Sequence, residues 1–364
     1  MSRSGVDHHH PAQDPLLQGL EIPPAWEEAA RLFLKRGGIT MVLGAGDTGK
    51  STLCRYLVDR AFRAGEATAL VDLDLGQSHL GPPAALGLAL FPPLFPGDAP
   101  IFPHALVFVG QTSPAGAVLE VVVGCRVLVD RAQEQGVSRV VVNTSGFVYG
   151  GAALRLKRAQ LELLRPRLLL ALARGGELAP LMDHLTGGDP AACMLLPVSS
   201  RAVRKTMEER RWNREARFQR FFEPARPLTL PLAQVRWQGL PWGRGAPLDG
   251  PALESWTQRL GTPVFYGETS PSRTVLLVKS PVLAPPLPPP AAPVHCLSWP
   301  SLKWRLLGLQ DQLHRTLSLG LLFPSPWREG AVTIWTPLDP GLTSQVRCLK
   351  VGKMRVSPAG RELQ

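Results

Sequence analysis

Between Gly38 and about Ser199 the chain alternates short, unbroken apolar runs with longer mixed segments. The runs are 39–43, 68–74 ("TALVDLD"), 105–109 ("ALVFV"), 138–143 ("SRVVVN"), 167–173 ("RLLLALA") and 193–198 ("CMLLPV"). Apolar runs of this length without polar alternation suit strands of a parallel sheet buried on both faces. The segments between them, notably 115–135 and 152–164, read as helices. The pattern predicts an α/β fold with a mostly parallel sheet and helices on both faces, and ligands should gather at the carboxyl ends of its strands. Residues 201–222, "RAVRKTMEERRWNREARFQRFF", read as one arginine-dense helix. After about Phe222 prolines multiply and the text becomes short strands with Gly/Pro turns. The expected division is a short, partly disordered N-terminal segment (1–36), a P-loop domain (37–222) and a C-terminal β-rich domain (223–364). Within the last, "LAPPLPPPAAPV" (282–293) reads as an extended linker or exposed loop.

The first apolar run stops at a glycine loop, "GAGDTGKST" (44–52), which fits G-x-x-x-x-G-K-[ST] between a strand and a helix. Gly44 and Gly49 let backbone N–H groups turn inward around a polyphosphate, and the helix that follows offers its positive end to the same anion. Gly46, Asp47, Thr48, Gly49, Lys50, Ser51 and Thr52 are therefore the expected nucleotide cradle. Lys50 would reach the β- and γ-phosphates, and the Ser51 hydroxyl would ligate Mg²⁺. The run 68–74 ends in Asp72 and Asp74, two apart, so on a strand they share a face turned towards metal and γ-phosphate. A carboxylate there can hold Mg²⁺ or accept a proton from an attacking hydroxyl. The arginine-dense segment offers Arg201, Arg204, Lys205, Arg210, Arg211 and Arg214 as a lid that neutralises charge developing on a transferred phosphoryl group.

Composition narrows the partners. Forty Lys and Arg against 29 Asp and Glu leave a formal net charge of +11, which favours a polyanion, nucleic acid before acidic membrane. The five cysteines have no CxxC or metal-ligand spacing and fit a reducing compartment. His8, His9 and His10 sit in a polar, Pro-flanked tail, and "MSRSGVDHHHPAQD" has no apolar core of a signal peptide. Residues 80–97 lack charge but are broken by Pro82, Pro83, Pro92, Pro93 and Pro96, which excludes a spanning helix. A cytoplasmic protein without membrane association is expected.

"GAGDTGKST", "DLDLGQSHLGPP", "FVGQTSP" (108–114) and "VNTSGFVYG" (142–150), in that order, resemble the polynucleotide 5′-hydroxyl kinase family, which includes pre-mRNA cleavage-factor and ribosomal-RNA-processing kinases and stand-alone prokaryotic relatives. "RLLGLQDQLHRTLSLGLLF" (305–323), "TPL" (336–338) and "KVGKMRV" (350–356) resemble that family's closing β-domain. The loop is expected to hold ATP or another nucleoside triphosphate as phosphoryl donor, and the resemblance implies that Asp74 is the Walker B carboxylate and general base, with Gln77 beside it. It implies that "TSGF" is a clasp on the terminal nucleotides, using Thr144, Gly146 and Phe147, the last replacing the family's tryptophan. It also implies that Lys205 and Arg210 are the paired lid cations, Arg204 or Arg214 being the alternatives to Lys205. Independently, the segment's arginines, Arg204, Arg211 and Arg214 among them, would track the strand's phosphates without reading bases. On this resemblance, the family's large N-terminal β-domain is expected to be missing or reduced to about 36 residues. The expected activity is transfer of the ATP γ-phosphate to the 5′-hydroxyl of single-stranded RNA or DNA, protein partners being left open. The competing expectation is an ATP-binding scaffold of an RNA-processing complex; a P-loop GTPase finds no N-K-x-D-like motif.

Overall fold

The computed structural model describes residues 22–92, 103–182, 193–242, 245–282, 293–323 and 331–363. The His8–His10 tail and residues 283–292 of the proline-rich stretch lie outside them. The chain divides into two compact units. One comprises the residues up to Gly81 with Ala85–Val107 and Thr112–Arg210; the other comprises Pro82–Ala84, Phe108–Gln111 and everything from Arg211 onward.

The first unit runs α1 (Pro24–Arg36), β1 (Gly38–Gly44), α2 (Lys50–Arg63), β2 (Thr68–Asp72), β3 (Ala85–Phe91), β4 (Ala105–Phe108), α3 (Val118–Glu134), β5 (Arg139–Asn143), α4 (Gly151–Leu164), β6 (Leu168–Ala173), α5 (Ala179–Met182), β7 (Cys193–Pro197) and the start of α6 (Met207–Phe222). Its strand order is β4-β3-β2-β5-β1-β6-β7, with β2, β5, β1, β6 and β7 all parallel. Five of the six apolar runs are thus parallel strands, whereas the sixth, 105–109, is β4, which lies beside β3 and alternates in burial. β3, "ALGLALF", was not foreseen; it pairs antiparallel with β2. Its flanking prolines, which served in the sequence only to exclude a membrane helix, punctuate its two ends and leave its interior free to pair. Register places Asp72 opposite Asn143, and Asn143 opposite Val42, so these polar residues sit side by side at the carboxyl ends of adjacent strands.

Two boundaries differ from the sequence reading. β2 stops at Asp72 rather than Asp74, because the chain turns to wrap the buried Asp72 carboxylate; Asp72 and Asp74 therefore do not share a strand face. α6 begins at Met207 rather than at 201, because Thr206 and Glu209 form a reciprocal capping box. Thr206 Oγ1 accepts from Glu209 N at 3.1 Å, and Glu209 Oε2 accepts from Thr206 N at 2.6 Å. Arg201, Arg204 and Lys205 thus lie in irregular chain before the helix.

One sheet face is covered by α1 and α2, whose Trp26, Phe33, Leu53 and Leu57 pack on Val42, Leu70, Val141 and Leu170. α1 falls in the stretch read as a short N-terminal segment, yet it is part of this core.

The second unit continues through β8 (Arg226–Pro231), β9 (Arg236–Gln238), β10 (Ala246–Pro247), α7 (Gly250–Leu260), β11 (Val264–Ser270), β12 (Arg273–Val278), β13 (Val294–Ser298), α8 (Trp299–Leu302), β14 (Arg305–Gln310), β15 (Thr316–Leu322), β16 (Ala331–Thr336), β17 (Cys348–Val356) and β18 (Glu362–Leu363). This is the β-rich part the sequence announced. β8-β16-β15-β14-β17-β18 pair antiparallel in that order, and β10-β11-β12-β13 form a separate sheet. The start of "FVGQTSP" is built into this unit. Gly110 has φ +87°, and a Cβ there would lie 2.5 Å from Gly352 Cα, so only glycine fits that crossing.

Phe33 is fully buried in the first core. Phe33→Ala should destabilise the protein by about 3–5 kcal/mol, read from chemical denaturation; a loss within experimental error would show that α1 is not part of the folded core.

Candidate active site

The phosphate loop spans β1 and α2. Asp47 and Gly49 have φ of 58° and 91°, left-handed conformations that turn the loop around on itself before α2. Lys50 is buried, and its Nζ donates to the Ala45 carbonyl at 2.6 Å, while Thr48 Oγ1 donates to the same oxygen at 3.0 Å. Burial lowers the Lys50 pKa, against the pull of the Asp74 charge. The ammonium is thus held across the loop by a backbone carbonyl.

Ser51 at the start of α2 connects to the strand ends. Asn143 Nδ2 donates to Ser51 Oγ at 3.1 Å and to Asp72 Oδ1 at 3.0 Å. Asp72 is 1% exposed and its four bonds consume it: Asp74 N (3.1 Å) and Asn143 reach Oδ1, Ser78 Oγ (3.2 Å) and His79 N (2.7 Å) reach Oδ2. Burial, with the nearby Asp74 charge, pushes its pKa up to about 6 although these bonds oppose the shift. Asp74 is half-buried and uses Oδ1 for a turn, accepting from Gly76 N at 3.0 Å and Gln77 N at 2.9 Å. Those bonds do not engage Oδ2.

From the same turn, Gln77 Nε2 donates to the Arg210 carbonyl at 3.0 Å. Arg210 Nη2 bonds Asp47 Oδ2 at 2.7 Å, and a Cβ placed on Gly46 would lie 3.1 Å from that same nitrogen. The guanidinium therefore lies directly on the phosphate loop. Lys205 contributes its backbone N–H to Asp47 Oδ2 at 3.0 Å, not its ammonium. Burial raises the Asp47 pKa, but the Lys205 N–H and the Arg210 cation outweigh it and hold the carboxyl below its usual range. Arg204 is exposed. Arg211 is bonded to Glu215 at 3.0 Å, and Arg214 takes Glu362 bidentately at 2.5 and 3.0 Å. Both are tied to carboxylates of the second unit.

The "TSGF" segment follows β5. Thr144 is fully buried and its hydroxyl donates to Val42 O at 2.8 Å, so it anchors the segment to β1. A Cβ on Gly146 would lie 2.7 Å from Gly46 N and 2.8 Å from Gly46 Cα, so the segment's backbone rests on the phosphate loop itself. Phe147 is half-buried and Tyr149 is exposed.

With this geometry in place, the comparisons with known proteins become specific. Residues 44–224 match the family described as mRNA cleavage and polyadenylation factor CLP1 P-loop. A polyribonucleotide 5′-hydroxyl-kinase of Thermococcus kodakarensis is 30% identical over 324 residues, covering 89% of each chain. The chain belongs to this kinase family. A polyribonucleotide 5′-hydroxyl-kinase of Pyrococcus horikoshii is 28% identical over 331 residues, covering 91% of this chain and 89% of that one. Among solved structures, the wild-type Clp1p–Pcf11p complex aligns with a TM-score of 0.60 at 12% identity, over 91% of this chain and 78% of that chain, which establishes the shared fold.

Sequence reasoning missed two residues that bond to the candidate site. Asn143 links Ser51 to Asp72; it is the residue before "TSGF", and an amide ending a central strand beside a carboxylate was the available signal. Arg174, after β6, donates from Nη2 to Asp47 O at 2.6 Å and to Ala202 O at 3.2 Å, joining the phosphate loop to the chain before α6. Nothing in its spacing marked it.

Gly146→Ala should cost about 1–3 kcal/mol of stability through overpacking and lower kcat/KM about 100-fold by displacing the loop and clasp. Thermal melting and steady-state kinetics check both; an unchanged kcat/KM would mean that the two backbones need not touch.

Proposed function

We propose that this kinase phosphorylates the 5′-hydroxyl end of a single nucleic-acid strand, RNA or DNA, using ATP held on the 44–52 loop. The observation that carries the reading is Arg210 lying on the phosphate loop, 2.7 Å from Asp47. An ATP-holding scaffold has no need of a cation there, whereas transfer requires one where charge develops. Topology supports the orientation. The carboxylates and Asn143 lie on the β5–β2 side of β1, so the γ-phosphate points that way and the nucleoside runs towards β6 and β7. There an open cleft of about 370 Å³, lined by Ala173, Arg174, Pro197, Val198, Ser199, Ser200 and Ala202, offers room for a nucleobase.

Ser51 and Asp74 supply hard oxygen ligands, whereas Asp72, expected from the sequence to join them, has both oxygens taken by protein donors, and the described residues hold no cluster of three His, Cys, Asp or Glu. That set fits Mg²⁺, which takes one or two carboxylates and completes its shell with phosphates and water. Bound there, it would neutralise charge on the β- and γ-oxygens. With both oxygens of Asp72 engaged, that residue serves the cation by fixing Ser51 through Asn143. Asp74 Oδ2 accepts the proton of the 5′-hydroxyl as its oxygen attacks the γ-phosphorus. The bond to the β–γ bridging oxygen breaks and ADP leaves. Arg210 meets the equatorial oxygens, moving from Asp47 to the phosphoryl group. Phe147 offers a stacking face that tolerates any base, so blunt duplex ends should be poorer substrates than single strands. The described residues contain no helix long and apolar enough to cross a membrane, and five free cysteines favour a reducing, cytoplasmic setting.

Asp74→Asn should lower kcat about 100-fold or more with ATP still bound. Rapid-quench kinetics on a 5′-hydroxyl oligonucleotide, with ATP binding by calorimetry, check this. A near-normal kcat would remove Asp74 as the base.

A further inference from the structure

Lys157 of α4 is completely buried beneath the site. Its Nζ donates to the Ser145 carbonyl at 2.9 Å and lies 3.4 Å from Ser145 Oγ. Among the described residues no carboxylate lies within ion-pairing distance of it. Ser145 is the second residue of "TSGF", is 4% exposed, and precedes the glycine whose backbone rests on Gly46. One continuous stack thus runs from the Lys157 ammonium through Ser145 and Gly146 to Gly46 and Ala45, and ends at Lys50, which holds the Ala45 carbonyl. A buried cation without a counter-ion is costly unless something else needs it. Its reward here is a polyanion in the cradle above.

We infer that Lys157 is a positioning residue of the transfer reaction, holding the clasp backbone at Ser145 against the phosphate loop in its protonated form so that the 5′ end of the strand is gripped. The inference rests on the reading of residues 144–147 as the strand clasp. The electrostatics fit it. Burial pulls the Lys157 pKa down to about 7, with Lys50 adding to the fall. The groups facing it are Lys50 at the start of α2, Asp74 beyond β2 and Cys125 on α3, and the last two pull the other way. Below about pH 7 the ammonium is charged and donates fully to Ser145. Above it, the amine is neutral and binds that carbonyl more weakly. An incoming phosphate chain favours the charged form, so grip and protonation are linked.

The test uses the full chain, ATP and a short 5′-hydroxyl RNA. Lys157→Met should raise the RNA KM about tenfold or more by loosening the clasp, with ATP Kd by calorimetry changed by less than about twofold. In the unsubstituted protein the RNA KM should climb as pH rises from about 6 to about 8, and in Lys157→Met that climb should vanish. A purely structural lysine would lower the melting temperature without moving the pH dependence. A wild-type RNA KM in Lys157→Met, or a climb that survives the substitution, overturns the inference. Should the variant not fold, a flat RNA KM between about pH 6 and 8 in the unsubstituted protein overturns it alone. Phe147→Ala separates the two readings: an unchanged RNA KM there removes the clasp, whereas a raised one beside a normal Lys157→Met removes only the role of the lysine.

Discussion

A carboxylate buried at the end of a central strand must have its charge answered, and here Asp72 is the group that the site is arranged around. Its two oxygens collect Asp74 N, Asn143 Nδ2, Ser78 Oγ and His79 N. Meeting that demand bends the chain after β2 into a tight loop, and the loop presents Asp74 and Gln77. Gln77 then fixes the Arg210 backbone, whose side chain reaches Asp47 on the phosphate loop. Through Asn143 the same carboxylate orients Ser51. Asp74, Ser51 and Arg210 are therefore placed by one desolvated charge rather than independently.

The cations around the phosphate loop are held by protein oxygens. Lys50 donates to a loop carbonyl, Arg210 to Asp47, and Arg174 braces the Asp47 backbone. Each of these donors can exchange its protein oxygen for a phosphate oxygen without a large movement.

Much of this was legible in the sequence because it rests on local rules. The glycine loop, the apolar parallel strands and the β-rich second half follow from spacing and composition, and "TSGF" and Gln77 were singled out by their likeness to the kinase family. What escaped depended on partners distant in sequence or on overlooked caps. Asp72 and Asp74 looked equivalent until the strand ended between them, because alternation assumes a strand that continues. Residues 201–206 looked helical because their charge pattern matched the helix beyond, although the Thr206–Glu209 capping box was there to be read. Lys205 looked like a lid cation, whereas its backbone N–H makes the contact with Asp47. Arg174 and Lys157 carried no motif, and only the fold brings them against Asp47 and Ser145.

The most direct test of the account is transfer itself. Purified protein is incubated with γ-labelled ATP and Mg²⁺ and two RNA oligonucleotides of one sequence, one ending in a 5′-hydroxyl and one in a 5′-phosphate. The account predicts label on the 5′-hydroxyl strand alone, removable by phosphatase and in one-to-one yield with ADP. ADP formed with free phosphate and no labelled RNA, or equal labelling of both strands, would contradict it.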